Sequence, residues 1–364
     1  MKRRYLIITL LVFGSVVSKA ADSLEVKIGQ MILIGLGDFS QTDQSQPIFQ
    51  ELRDGKAGGI ILFEKNLSKK NTESELKSVL EYSQSQSPIP LFVGIDEEGG
   101  RVTRLKTQYG FPKTVSAEYL GKLDNVDSTK YYALERATLL KDLGFNMNFA
   151  PCVDVNVNPN NPVIGKLGRS YSGSEKVVAK HAQIVISSYN SQGVIPVMKH
   201  FPGHGSSQND SHLGVADVSN TWEFRELHPY KALIDSGIVN AVMTAHIVNR
   251  SLDAKLLPST LSNNVVSGLL RGFLGYEGVV VSDDLQMKAI ADHYGLKETI
   301  RLSLEAGLDI LLFANNVPDY QLVSATQIVQ IIKEMVQEGV ISAERIEESY
   351  QRIMKLKQNI GLIE

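Results

Sequence analysis

Apolar residues come in eight short runs along the chain. They read QMILIGL (30–36), GGIILFE (58–64), PLFVGID (90–96), FNMNFAPCVDV (145–155), VIPVMKH (194–200), NAVMTAHI (240–247), GVVVSDDL (278–285) and DILLFAN (309–315). The runs are nearly continuous in apolar residues and do not alternate, which is the pattern of parallel strands buried on both faces. Between them lie longer stretches with helical spacing and polar faces. Examples are TESELKSVLEYSQSQ (72–86), SEKVVAKHAQIVISSYNSQ (174–192), LVSATQIVQIIKEMVQEG (322–339) and SAERIEESYQRIMKLKQNIG (342–361). In the last, Ser342 supplies a start signal and Gly361 a stop. Strands alternating eightfold with helices predict an α/β chain folded as a (β/α)8 TIM-type barrel. A doubly wound open sheet is the rival. The count of eight, and the lack of a Gly-rich phosphate turn after the first run, favour the barrel. No linker or repeat divides residues 21–364, which read as a single domain.

Composition narrows the picture. Hydrophobic residues make up 43% of 364, enough for a large core, and a formal charge of −3 gives no reason to expect nucleic acid or an anionic membrane as partner. The single cysteine, Cys152, has no intramolecular disulfide partner and follows the apolar NMNFAP, so it reads as a buried structural thiol. The first residues change the expected location. Lys2, Arg3 and Arg4 precede an apolar run from Tyr5 to Val17, and Ser18-Lys19-Ala20 offers small residues at a cleavage site. That is the anatomy of a signal peptide over 1–20, and the apolar run is short of the roughly 20 residues that span a bilayer. Export, periplasmic or extracellular, is the expectation, with no stable membrane insertion after cleavage.

In a barrel, functional groups collect where strands end at the C-terminal face. Here the apolar runs repeatedly finish in charge: Asp96 with Glu97-Glu98, then Asp154, Lys199-His200, His246 and Asp283-Asp284. One of the two last aspartates is expected to cap a helix beginning near Leu285, leaving the other to face the mouth as nucleophile or electrostatic stabiliser.

The stretch KHFPGHGSSQNDSH (199–212) holds three of the seven histidines. His200, His204, His212 and Asp210 form a conceivable metal-ligand set. Pro202-Gly203, however, breaks the helix that would align the first two, and no HExxH motif is present. Acid/base chemistry fits better. Asp210 and His212 are one residue apart, so in an extended segment they point to the same side, and a carboxylate beside an imidazole sets its tautomer. Gly203, Gly205, Ser206 and Ser207 read as a hinge that lets the dyad move over a substrate. His204 is expected to shape the turn or dock the loop. His181 and His228 read as surface or packing residues, and His293 as lying outside the site. His246 stays unassigned.

KHFPGHG followed by DSH, with GIDEEGGRVTRL upstream and VVVSDDLQMKAI downstream, resembles glycoside hydrolase family 3, in its single-domain β-N-acetylhexosaminidase branch. APCVDVNVNPNNPVIGKLGRSYS (150–172) and AVMTAHI extend the likeness through almost the whole mature chain. The resemblance implies Asp283 as catalytic nucleophile, His212 as general acid/base and Asp210 as its partner. It further implies Asp96, Arg104, Arg169, Lys199 and His200 as sugar-binding residues, with no metal and no cofactor. The chain departs from the pattern at one place. Lys166-Leu167-Gly168 lies between Gly165 and Arg169, where many relatives have a single residue, so the loop before Arg169 is longer.

The activity implied is retaining hydrolysis of terminal β-linked N-acetylglucosamine through a covalent sugar on Asp283, the substrate being a small carbohydrate such as a peptidoglycan fragment. The alternatives are a β-glucosidase, a β-N-acetylglucosaminide phosphorylase, substrate-assisted hydrolysis, a metal-dependent hydrolase and a non-catalytic sugar-binding barrel.

Overall fold

Each of the eight apolar runs forms a strand. In the computed structural model, which describes residues 23–37, 46–316 and 322–364, they are β1 (Ile32–Gly35), β2 (Gly59–Leu62), β3 (Phe92–Ile95), β4 (Met147–Asn148), β5 (Ile195–Phe201), β6 (Ala241–Thr244), β7 (Val279–Val281) and β8 (Leu311–Phe313). The expected leader at 1–20 lies outside the described residues. Every residue in these strands is buried, as continuous apolar runs require.

All pairings are parallel and follow chain order from β1 to β7, with β8 on the other side of β1. The ring closes between β7 and β8. Val281 bridges Ile310, Ser282 N–H donates to the Ile310 carbonyl at 2.9 Å, and Leu312 N–H donates to Ser282 Oγ at 2.8 Å. The fold is the (β/α)8 barrel, not the open sheet.

The four helices read from periodicity occupy Thr72–Gln86, Glu175–Ser191, Ala325–Gln337 and Ala343–Asn359. The last shows why they stay. Ser342 Oγ caps it by accepting from Arg345 N–H, and Ile346, Tyr350, Ile353 and Leu356 recur at spacings of three and four on its buried face. Each such side chain contributes about 1.5–3 kcal/mol of burial. From the same face Lys357 reaches the N-terminal end of the barrel. Its buried ammonium donates to Gln30 Oε1 (2.6 Å) and the Pro90 carbonyl (2.5 Å), over the Phe92 ring.

Two local features went unread in the sequence. Of the run 145–155 only Met147–Asn148 is strand; the rest crosses the barrel mouth beside β5, with Val153 N–H donating to the Lys199 carbonyl at 2.7 Å. Ala216–Asp217 and Ile247–Val248 also pair as a small parallel sheet above β6.

Candidate active site

A cavity of about 800 Å³ opens at the C-terminal ends of the strands. Asp96, Arg104, Arg169, Lys199, His200, Asp210, His212 and Asp283 all line it. Residues from the ends of β3, β5 and β7 and from two long loops thus meet at one mouth.

Its floor is a continuous chain of charge. Arg104 Nη2 donates to Asp96 Oδ2 (3.1 Å), and Lys199 Nζ bridges Asp96 Oδ1 and Glu98 Oε1, both at 2.8 Å. Arg169 grips Glu98 with two bonds, Nε to Oε2 (2.8 Å) and Nη2 to Oε1 (2.6 Å), despite the longer loop before it. Burial alone would raise the Asp96 and Glu98 carboxyls. Lys199 and Arg104 around the first, and Arg169 and Lys199 around the second, more than offset it, holding Glu98 down at about 2 and Asp96 well below the usual carboxylate range. A rack of this kind presents fixed donors and acceptors to hydroxyl groups without reorganising. Arg104 Nε is buried without a partner among the described residues.

The chain continues through His200. Arg169 Nη2 lies 3.1 Å from His200 Nε2, and His200 Nδ1 lies 2.6 Å from Asp154 Oδ2. A guanidinium only donates, so His200 Nε2 accepts and the ring proton sits on Nδ1, given to Asp154. Asp154 is fully buried and also accepts the backbone N–H groups of His204 (2.7 Å) and His200 (3.3 Å) and the Cys152 thiol (3.1 Å). Sequence reasoning noted Asp154 and Glu98 as strand-end charges but gave neither a place in the site. The signal for Asp154 was its position after a strand run; that for Glu98 was adjacency to Asp96.

The glycine stretch is not a hinge. A Cβ on Gly203 would meet Glu226 Cβ at 2.7 Å, and one on Gly205 would meet the Val155 carbonyl at 1.7 Å, so these glycines allow close approach. The segment is pinned from several sides. Glu226, raised to about 7 by burial, accepts from Gly205 N–H at 3.0 Å, and Asn161 Nδ2 donates to the His204 carbonyl at 2.7 Å. His204 is buried in this packing, its Nε2 3.2 Å from Ser211 Oγ, and burial lowers its imidazole to about 4. It docks the loop, as expected.

Beyond Ser207 the chain emerges. Asp210 and His212 do meet, but through a turn and not an extended segment. Asp210 Oδ1 accepts both the backbone N–H and Nδ1–H of His212, each at 2.8 Å, and the Asp210 carbonyl accepts Leu213 N–H. That leaves His212 Nε2 without a partner among the described residues, on a side chain 61% exposed. The proposed set of His200, His204, His212 and Asp210 does not assemble. Among the described residues the group that does converge is Cys152, Asp154 and His200, already joined by hydrogen bonds.

Asp283 and Asp284 follow β7 on a turn. Neither caps a helix, because the next one starts only at Lys288 and its cap residue, Met287, makes no side-chain bond. Asp284 Oδ1 instead accepts from Gln286 N–H (3.1 Å) and Ala314 N–H (3.0 Å), tying the turn to the end of β8. His246 completes the brace: its Nε2–H donates to the Asp284 carbonyl at 2.8 Å. His181 is fully buried, stacked on Tyr171 in the helical layer.

The two aspartates are pushed apart. Burial raises both. For Asp283 the imidazoles of His246, His200 and His212 outweigh it and the carboxyl is lowered, whereas Asp284 rises to about 7. Asp283 is ionised at neutrality, whereas Asp284 holds its proton until the pH approaches about 7. A carboxyl whose folded pKa is raised contributes stability present below its unfolded value near 4 and lost as pH rises to about 7. Asp284→Asn keeps the acceptor and replaces the hydroxyl by an amide. It is expected to match wild type near pH 3.5 and exceed it at pH 8 by at most about 4 kcal/mol. Urea unfolding at the two pH values measures this; a constant difference between the proteins contradicts it.

The comparisons fall on this geometry. The model for the glycosyl hydrolase family 3 N terminal domain matches residues 23–356. The chain belongs to glycosyl hydrolase family 3. It is 33% identical over 83% of its length to beta-hexosaminidase A of Pseudoalteromonas piscicida, of which it spans only 53%. It is 31% identical over 78% of its length to a beta-hexosaminidase of Nitrosomonas eutropha, spanning 80% of that protein. Among solved structures, a glycoside hydrolase family 3 beta-N-acetylglucosaminidase from Paenibacillus sp. str. FPU-7 superposes with a TM-score of 0.85 at 35% identity. The match covers 93% of this chain and 63% of that one.

Proposed function

We propose that this family 3 chain is a retaining exo-β-N-acetylglucosaminidase acting on terminal, non-reducing N-acetylglucosamine. The observation that carries the proposal is a single cavity lined by an ionised aspartate, Asp283, and by a separate carboxylate–imidazole pair, Asp210–His212. The names of its relatives support the sugar.

In the first step an Asp283 oxygen bonds to the anomeric carbon as the bond to the leaving oxygen breaks. Imidazolium His212 gives its Nε2 proton to that oxygen. Water then attacks the same carbon, His212 takes the proton back, and Asp283 is released. Asp210 holds Nδ1–H throughout, so Nε2 is the exchanging atom. An imidazole, neutral or cationic, does not repel the nucleophile as a second carboxylate would. The floor of Asp96, Arg104, Lys199, Arg169 and His200 holds the sugar hydroxyls, and such polar contacts reject analogues that lack them. With export expected from the leader pattern, the material met is peptidoglycan fragments.

A slow 5-fluoro N-acetylglucosaminide should label Asp283, read by peptide mass spectrometry. An active enzyme that never labels there points to substrate-assisted chemistry instead. His212→Ala is expected to lose about 10²–10⁴-fold on a natural disaccharide and far less on a nitrophenyl glycoside, whose leaving group needs no proton. Equal losses on both would remove His212 as the acid.

A further inference from the structure

A second cavity, of about 60 Å³, lies between the floor of the site and the helix Val126–Leu143. Glu97 and Arg136 both line it. Arg136 stands on the buried face of that helix, among Ala133, Ala137 and Leu140. A charge in such a place needs a counter-charge inside the fold. Arg136 Nη1 lies 3.4 Å from Glu97 Oε1, on side chains 8% and 0% exposed. Among the described residues Nη1 makes no hydrogen bond, so charge alone holds it there.

Glu97 in turn fastens the segment that carries Arg104. Its carboxylate accepts from the Thr103 hydroxyl, from Arg104 N–H at 2.8 Å and from Leu105 N–H at 3.1 Å. Its backbone is fixed separately from β4. Asn148 Oδ1 accepts Glu97 N–H at 2.9 Å, and Asn148 Nδ2 donates to the Glu97 carbonyl at 3.0 Å. Among the described residues the carboxylate has one ion-pair partner, Arg136. Without a counter-charge a buried carboxylate does better protonated, and a protonated one no longer accepts freely on both oxygens. Three donors from residues 103–105 depend on that capacity.

We infer that Arg136 is a positioning residue for sugar binding. Acting through Glu97, it sets where Arg104 stands against Asp96 at the floor. The inference rests on reading the cavity as the site that cleaves N-acetylglucosaminides. It gives a role in affinity to a side chain on the outer helical layer, which touches no reacting atom.

The test measures kcat and KM on a nitrophenyl N-acetylglucosaminide. Arg136→Met is expected to raise KM about tenfold and leave kcat within about threefold. Arg136→Lys, which keeps the charge, should stay within about threefold of wild type in both. In the Glu97→Gln background, Arg136→Met should change KM by less than about twofold, because the carboxylate it compensates is gone. Val185→Ala, in the wall of the same cavity, should lower the urea midpoint with KM unchanged, which separates positioning from loss of packing. Should Arg136→Met fail to fold, Arg136→Gln, which keeps a donor but not the charge, is read in its place. Wild-type KM without the arginine, an equal KM rise in Val185→Ala, or an undiminished effect in the Glu97→Gln background overturns the inference while the reading of the cavity stands. If wild type cleaves no N-acetylglucosaminide at all, that reading falls and the positioning role falls with it.

Discussion

Asp283→Ala is expected to lower kcat/KM on a nitrophenyl N-acetylglucosaminide by about 10⁴-fold, with the fold unchanged. The split between activity and stability follows from position. Asp283 is half-buried at the mouth, and among the described residues its carboxylate accepts only the N–H of Asp284. The turn that carries it is held by other groups, Asp284 on Ala314 N–H and His246 on the Asp284 carbonyl. Removing the side chain therefore opens space and takes the acceptor from one N–H, that of Asp284, while the other fastenings of the turn remain. Added azide should restore turnover in the variant by attacking the anomeric carbon from the vacated side, giving a glycosyl azide of α configuration. An Asp283→Ala enzyme with near-normal turnover, or a rescued product of β configuration, would rule out the nucleophile.

Asp154→Ala is expected to cost both stability and activity. Four donors converge on this carboxylate, two of them backbone N–H groups, and burial does not stop their charges and dipoles from holding its pKa low. Stranding them should cost about 3–5 kcal/mol, visible in chemical unfolding. Asp154→Asn is the sharper variant. It keeps the volume but turns one acceptor into a donor, which clashes with Nδ1–H and forces His200 to the other tautomer. Nε2 would then present a proton to Arg169, which can only donate. We expect at least a 10²-fold fall in kcat/KM at modest stability cost, carried mostly by KM for an intact sugar. An Asp154→Asn enzyme with wild-type KM would mean that His200 orientation does not matter to binding.

The barrel was legible because its signal is repeated and one-dimensional. A strand buried on both faces must be apolar along its length, and eight such runs allow few closures. The site was legible at the same places, since a charge that ends an apolar run has only the mouth to face. What escaped depends on which distant group a side chain meets. Gly203 and Gly205 look alike whether they bend or merely make room, and only Glu226 and Val155, met across the fold, decide the matter. Asp283-Asp284 ahead of a helical pattern is a sound cap signal, yet Asp284 is claimed by Ala314, thirty residues on. The Asp210–His212 contact was found through the wrong geometry, because a turn and an extended segment can both bring residues two apart together. Glu98 and Asp154 needed partners from other strands before their work was visible.

The fastening of the Asp283–Asp284 turn to β8 has a consequence for synthesis. Ser282 and Asp284 each accept an N–H from β8 or its end, from Leu312 and Ala314. In a chain still emerging from the ribosome, β1 to β7 exist before residues 311–314 do, so the Asp283–Asp284 turn is fastened only when β8 docks.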